Sequence, residues 1–349
     1  MIPSALRLIL DGDALVSNWH WLAHRSGGGA ACGAAVKADG YGLGAREVVK
    51  RLSAAGCRDF FVATWAEAEA LMPWPEALGL SVLHGVGAED MAAALASPAR
   101  PVLNSAAQIA RWKDAAPGRP CDVMVDTGIN RLGLTVREAR SGLLDALKLQ
   151  TFMSHLACAD EPAHEMNERQ LGIFRSLRRE VSAARYSLAN SAGICLDPKY
   201  AFGLTRPGLA LYGGIPVPGD ADQEAGIRPV ARIEARVLQV RDVSAGQSIG
   251  YGATFVAERD MRAAILNLGY ADGYLRPLAA KGFAMAGDLR CPIVGRISMD
   301  LMAVALPAGA DVGEGDWLSL NFRLPDLAGT LSQYELLTAL GRRYRRVWR

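Results

Sequence analysis

The chain has 349 residues, half of them apolar and 21% charged, which excludes a disordered or collagen-like polymer and predicts about two domains with a sizeable core. Lys and Arg number 38 against 36 Asp and Glu, and the resulting net charge of +2 offers no field for nucleic acid or an anionic membrane. No uncharged apolar run approaches the roughly 20 residues that a membrane span requires.

At the N-terminus the apolar run is interrupted by Arg7 and closed by Asp11, too short for a secretory signal, so a cytoplasmic location is expected. Six cysteines stand singly with no Cys-x-x-Cys pair, the usage of reduced, mostly buried thiols. Eight short apolar runs follow, at 31–36, 60–63, 81–83, 101–103, 122–125, 150–153, 186–189 and 204–205. Segments of helical period lie around them, at 13–24, 45–55, 65–71, 90–95, 106–115, 136–147 and 165–184. Eight strand-helix alternations predict an α/β fold of the TIM type, a (β/α)8 barrel, in preference to a doubly wound sheet. Residues 214–226 are rich in proline and glycine without periodicity and read as a linker, dividing a barrel over 1–226 from a second domain over 227–349. Beyond it Ala231, Ile233, Ala235 and Val237 alternate with Arg232, Glu234 and Arg236, the period of a half-buried antiparallel strand. Further strand-like runs at 263–268, 292–294, 302–305 and 317–320 make this domain mainly β. Ser332-Gln-Tyr-Glu335 has the form of a capping box opening a late helix, with Leu331 and Leu336 placed for a hydrophobic staple and Gly341 as the stop. The basic run 342–349 is expected to be a solvated chain end.

In a barrel of this kind reactive groups collect at the C-terminal ends of the strands. The residues found there are Lys37, His84, Asn104, Arg131, His155, Asn190 with Ser191, and Arg206. Any one of them could be a polar residue where a strand meets water; together they point to a site. Lys37 directly follows Ala34-Ala35-Val36, where desolvation lowers the affinity of an amine for its proton and prepares it to form a Schiff base with an aldehyde. The chain lacks Gly-x-Gly-x-x-Gly, the P-loop pattern and Gly-x-Ser-x-Gly, so nucleotide folds and serine hydrolases lose support. His20 and His24 share a helix face, but no third ligand stands near them in sequence, and no metal is expected.

Ala35-Val-Lys-Ala-Asp-Gly-Tyr-Gly-Leu-Gly44 resembles the pyridoxal-phosphate lysine motif of bacterial alanine racemases. Seven further blocks resemble that family in the same order: 126–133, 154–157, 189–192, 205–213, 250–255, 269–273 and 295–300. The resemblance implies a pyridoxal 5'-phosphate barrel followed by a β domain, working as a homodimer on alanine. It implies that Lys37 holds the cofactor and serves one face of the substrate Cα, while Tyr251, from the other subunit, serves the opposite face. His155 would help lower the pKa of Tyr251, and Arg206 would face the pyridine nitrogen and restrain transamination. Tyr41, Ser191, Gly208, Leu209 and Tyr334 would hold the phosphate, with Asn190 also at the cofactor. Arg131 and the backbone of Met299, the latter across the dimer, would hold the substrate carboxylate.

One position departs from the pattern. Many members carry a lysine, often carbamylated, seven residues before the arginine matching Arg131, and here that residue is Met124. The expectation is that another anion supports Arg131. Rival readings are a broader amino-acid racemase of the same fold, a pyridoxal-phosphate decarboxylase, and a non-catalytic cofactor-binding barrel. The block at Thr205-Arg-Pro-Gly208 speaks against the decarboxylase, and the β domain with Tyr251 against the non-catalytic barrel.

Overall fold

Strands that carry continuous apolar runs are buried on both faces, as a parallel sheet wrapped by helices requires. In the computed structural model, which describes residues 4–329 and 331–349, the chain forms two compact units. One is Leu15–Arg228; the other joins Pro229–Arg349 to the segment ending at Ala14.

The first unit is the predicted barrel. Its parallel strands are Ala31–Cys32 continued by Ala34–Ala35, then Asp59–Val62, Gly79–Val82, Arg100–Leu103, Pro120–Met124, Lys148–Met153, Arg185–Ser187 and Leu204–Thr205. The last pairs in parallel with Ala31–Cys32. Gly203 N–H donates to Tyr186 O and Arg206 N–H to Ala189 O, so the ring of strands closes. Closure passes through Gly33, whose N–H donates to Thr205 O and where a Cβ would lie 2.8 Å from Asp59 O. No side chain fits at that crossing.

Two predicted helices fall on their exact bounds, Ala45–Ala55 and Ala106–Ala115, the second capped by the Ser105 hydroxyl. Thr64 with Glu67 and Thr135 with Glu138 form capping boxes. The segment expected to be helical over 136–147 is helical only over Val136–Ala139, because Gly142 and Ala146 take left-handed backbone angles of +77° and +64°. The segment read as a linker contains a helix, Ala221–Gly226, nucleated by the Asp220 side chain, which accepts from the N–H groups of Asp222 and Gln223.

In the second unit the long strand Ala231–Val243 organises an eight-stranded sheet by pairing antiparallel with Leu6–Leu10, Trp317–Leu320 and Met261–Leu266. The N-terminal strand was assigned by sequence to the barrel. It belongs to this unit because its two neighbours are Ala231–Val243 and, in parallel, Arg345–Trp348. The basic C-terminus is accordingly a strand and not a free end. Phe283–Ala286 is a further strand that the sequence reading passed over, and the helix Gln333–Thr338 has the capping box read from Ser332 and Glu335. Among the described residues no helix is long and apolar enough to cross a membrane.

The barrel interior carries charge. Asp122 is fully buried, and its carboxylate accepts from Ser81 Oγ at 2.6 Å, Thr151 N–H at 2.9 Å and Arg100 Nε at 3.3 Å. Asp59 is held by both guanidinium nitrogens of Arg185, at 2.5 and 2.8 Å. Asp122→Ala removes one partner of a buried pair and strands three donors, so the barrel should lose about 3 kcal/mol, the low end for such a loss because Arg100 is partly solvated. Chemical denaturation followed by tryptophan fluorescence measures it; an unchanged midpoint would show the network to be dispensable.

Candidate active site

Lys37 leaves the first barrel strand where Val36 N–H donates to Phe61 O at 2.8 Å. The chain then turns left-handed for five residues, with φ of 52° at Ala38, 52° at Asp39, 62° at Gly40, 55° at Tyr41 and 82° at Gly42. For residues with a Cβ this conformation costs about 1–2 kcal/mol each, so other contacts must impose it. Two carboxylates do. Glu67 accepts the N–H of Ala38 at 2.8 Å and of Ala63 at 2.7 Å, and Asp39 Oδ1 accepts the N–H of Ala45 at 2.9 Å, the first residue of the next helix. Lys37 is thereby aimed by a fixed backbone. Its pKa is lowered by burial and by the nearby Arg131 guanidinium, partly offset by Glu67. Sequence reasoning missed Glu67; its signal was the spacing Thr64-x-x-Glu67 after the second strand.

Tyr41 stacks on Tyr212 with ring centroids 4.6 Å apart, and Tyr212 is fixed by donating to Ala35 O at 2.8 Å. A Cβ on Gly208 would collide with the Tyr41 hydroxyl, so glycine there lets the tyrosine reach the backbone. Ser191 Oγ accepts from Gly208 N–H at 2.9 Å and Ala210 N–H at 3.2 Å. Asn190 Oδ1 accepts from Gly193 N–H at 2.9 Å and caps the helix Ser191–Leu196, while Leu209 opens a 3-10 turn to Tyr212. Tyr41, Ser191, Gly208 and Leu209 are therefore gathered at one place.

Arg206 is buried, 6% exposed. Its guanidinium donates to Ser187 Oγ and, at 2.6 Å, to Ser154 O, two neutral oxygens. Burial lowers its pKa to about 10, the Asp122 carboxylate acting the other way. His155 is held neutral: burial first, then Arg206, Arg131 and Lys37, push its pKa down to about 3. The cations of this site are guanidinium groups.

The loop bearing Arg131 is wound on Asp126, whose carboxylate accepts from Gly128 N–H at 2.7 Å and Arg131 N–H at 2.9 Å. The Arg131 guanidinium makes no ion pair or hydrogen bond among the described residues. Met124 is buried beneath the loop, its Cγ 3.1 Å from where a Cβ on Gly133 would be, and no carboxylate replaces the expected support. Asn104 donates to Leu83 O and Val102 O, and the His84 carbonyl accepts from Gln108. Neither shares a hydrogen bond with Lys37, His155 or Arg206. Among the described residues no three His, Cys, Asp or Glu side chains cluster as a metal site.

In the β unit Tyr251 opens the 3-10 turn Tyr251–Ala253 and is 71% exposed. A Cβ on the preceding Gly250 would lie 3.4 Å from Arg296 N. Tyr270 and Ala271 donate their N–H groups to Ser298 O and Met299 O, both at 3.0 Å, leaving the Met299 side chain exposed. Arg343 pins this segment by donating to Asp272 and Asp300, each at 2.6 Å. Tyr334, on the last helix, is also exposed.

The neutral His155 has a consequence for stability. With a folded pKa near 3 against an ordinary 6.5, the unfolded chain binds more protons between those values, so stability falls as pH drops from 6.5 toward 3. His155→Gln should flatten that part of the profile. Denaturation midpoints measured across the window decide it, and an unchanged slope would mean that His155 is not buried neutral.

Two family models cover the chain: "Alanine racemase, N-terminal domain" over residues 10–216 and "Alanine racemase, C-terminal domain" over 230–348. The alanine racemase of Dinoroseobacter shibae is 42% identical over 97% of both chains, and that of Rhodospirillum rubrum 42% identical over 97% of this chain and 94% of its own. Among solved structures, alanine racemase from Bartonella henselae with covalently bound pyridoxal phosphate has a TM-score of 0.90 at 33% identity, covering 99% of this chain and all of that one. The biosynthetic enzyme of Pseudomonas aeruginosa has a TM-score of 0.87 at 32% identity, covering all of both chains. With a desolvated lysine and a buried arginine in the barrel that the first model covers, and the second model over the β unit, the chain belongs to the alanine racemase family.

Proposed function

We propose that this chain is a pyridoxal-phosphate-dependent alanine racemase that interconverts L- and D-alanine, supplying D-alanine for peptidoglycan or opening alanine catabolism. The observation that carries the reading is the pairing of a desolvated Lys37 with a buried Arg206 that has neutral hydrogen-bond partners. The residues fit the cofactor: the close approach of the Tyr41 hydroxyl and Gly208 beside Ser191 suits a phosphate, and Asn190 orders the adjoining helix. Leu209 adjoins them as the first residue of the 3-10 turn to Tyr212. Bound there, the cofactor supplies the electron sink that acidifies the Cα–H of alanine.

The chain's own groups account for the rest. An amine with lowered pKa is available unprotonated, so Lys37 Nζ takes or returns the Cα proton on one face. Tyr251, exposed on a single chain, serves the opposite face from a second copy in a homodimer, and the backbone of Met299 from that copy helps Arg131 hold the substrate carboxylate. Inversion needs a base on each side. Arg206 would present to the pyridine nitrogen a guanidinium that keeps its own proton and whose positive charge disfavours a protonated ring nitrogen, which restrains transamination. Arg131, free of internal ion pairs, is available for the substrate carboxylate, and neutral His155 beside it acts as a hydrogen-bonding group. Six unpaired cysteines suit the cytoplasm.

Racemisation of alanine by the purified chain, followed by circular dichroism, tests the activity. Borohydride should fix pyridoxal phosphate to Lys37, and Lys37→Ala should abolish both that label and turnover; a label on another lysine would refute the assignment. Tyr251→Phe should cut racemisation by about 10²–10⁴-fold. Solvent deuterium exchange should persist at Cα of the enantiomer whose hydrogen faces Lys37. Equal loss of exchange from both enantiomers would rule out one base on each face.

A further inference from the structure

Gln170 lies outside every block that resembles the family, on the helix Glu165–Glu180, among the apolar residues Leu171, Phe174 and Leu177 of its buried face. It is fully buried, an expensive place for an amide unless all its hydrogen bonds are made. All of them are. Nε2 donates to Thr127 Oγ1 at 3.1 Å and to His155 O at 2.9 Å, and Oε1 accepts from Ala157 N–H at 2.8 Å. The two donors and one acceptor fix which way the amide faces.

Those three bonds reach two different loops. Thr127 belongs to the loop wound on Asp126 that carries Arg131, and His155 and Ala157 belong to the loop after the sixth strand. The helix also closes on the first loop through Met166, whose sulfur is 3.2 Å from where a Cβ on Gly128 would be. Having accepted from Gln170, the Thr127 hydroxyl has its proton free for Ser154 Oγ, 2.8 Å away. Ser154 in turn accepts from Arg206 through its carbonyl. One amide is thus tied, directly or through a single hydroxyl, to the segments that place Arg131, His155 and Arg206.

We infer that Gln170 is a positioning residue for the reaction: its amide locks the Arg131 loop to the His155 loop and, through Thr127 and Ser154, steadies Arg206. This rests on the function proposed above, since it assigns those three residues to the site. Arg131 needs such an anchor because its own guanidinium has no internal partner, and small displacements of a bidentate group are costly in rate. Met124, a thioether, supplies no hydrogen bond of that kind.

The test compares the parent protein with Gln170→Met, which keeps the length and helix packing but makes none of the three bonds, and with Thr127→Val, which removes the bond from Gln170 Nε2 together with the branch to Ser154 but leaves the two bonds of Gln170 to the His155 loop. Hydrogen exchange on the cofactor-free and the cofactor-loaded chain is read in peptides spanning 126–131 and 154–158. Gln170→Met should exchange at least tenfold faster in both segments while helices away from the site are unchanged. In the loaded enzyme it should lose at least tenfold in kcat/KM, chiefly through a raised KM for alanine, because Arg131 is loosened. Thr127→Val should weaken pyridoxal phosphate binding, read by absorbance titration, at least threefold with a smaller change in KM. Should Gln170→Met not fold, the Thr127→Val titration alone decides, and a dissociation constant within twofold of the parent overturns the inference. Folded Gln170→Met with unaltered exchange in both segments overturns it too, as does a lowered melting temperature with kcat/KM and KM unmoved. A parent chain that does not racemise alanine would refute the proposed function, while the exchange measurement would still decide whether Gln170 joins the two loops.

Discussion

An excess of positive charge held in place without being neutralised is the constraint on which this barrel depends. Arg206 and Arg131, with Lys37 when it carries its proton, depress the proton affinity of His155 together, and among the described residues none of the three makes an ion pair. In a partly desolvated site such charges are strong levers on an anionic ligand, and strong liabilities for the fold. Their positions are therefore fixed by backbone and neutral groups. Arg206 is seated on a hydroxyl and a carbonyl, Arg131 is held through its main chain by Asp126, and Lys37 is aimed by a left-handed turn clipped to Glu67. The carboxylate that acts on Arg206 is that of Asp122, which is committed to its own partners.

That arrangement explains why the polar residues in the barrel are layered. Asp122 and Asp59 with their arginines form a charge-matched tier; the hydroxyls of Thr127, Ser154 and Ser187 form another; the unmatched cations occupy the mouth. Hydroxyl groups suit the middle tier because each donates and accepts, passing orientation along without adding charge.

Much of this was legible in the sequence, and the exceptions have identifiable causes. The eight barrel strands appeared as apolar runs because both their faces are buried, and Lys37, His155, Ser191 and Arg206 announced themselves by following those runs. The strand Leu6–Leu10 was visible only as a short apolar run, since its partners are more than 220 residues away, and nothing local tells a strand which sheet it joins. The helix Ala221–Gly226 was hidden in proline- and glycine-rich surroundings, although Asp220 was a readable cap. Over 136–147 the apolar spacing was real but the backbone at Gly142 and Ala146 was not helical. Gln170 was invisible for another reason. A glutamine on an amphipathic helix reads as solvent-facing, and only the fold reveals that this one is turned inward.

The parallel pairing of Leu6–Leu10 with Arg345–Trp348 makes one strand wait for a partner that is synthesised much later. On the ribosome the barrel unit has all its residues once Arg228 has emerged, whereas the sheet of the second unit lacks one edge until Arg345–Trp348 appears. At about 5–20 residues per second the roughly 120 residues that follow Arg228 take on the order of 6–24 s to make. For nearly all of that interval Leu6, Leu8 and Leu10, all buried in the finished protein, have Ala231–Val243 available on one side and await Arg345–Trp348 on the other. The nascent chain therefore carries an exposed apolar strand edge for seconds beside a barrel that is already able to fold, a vulnerability to mispairing that the mature molecule no longer shows.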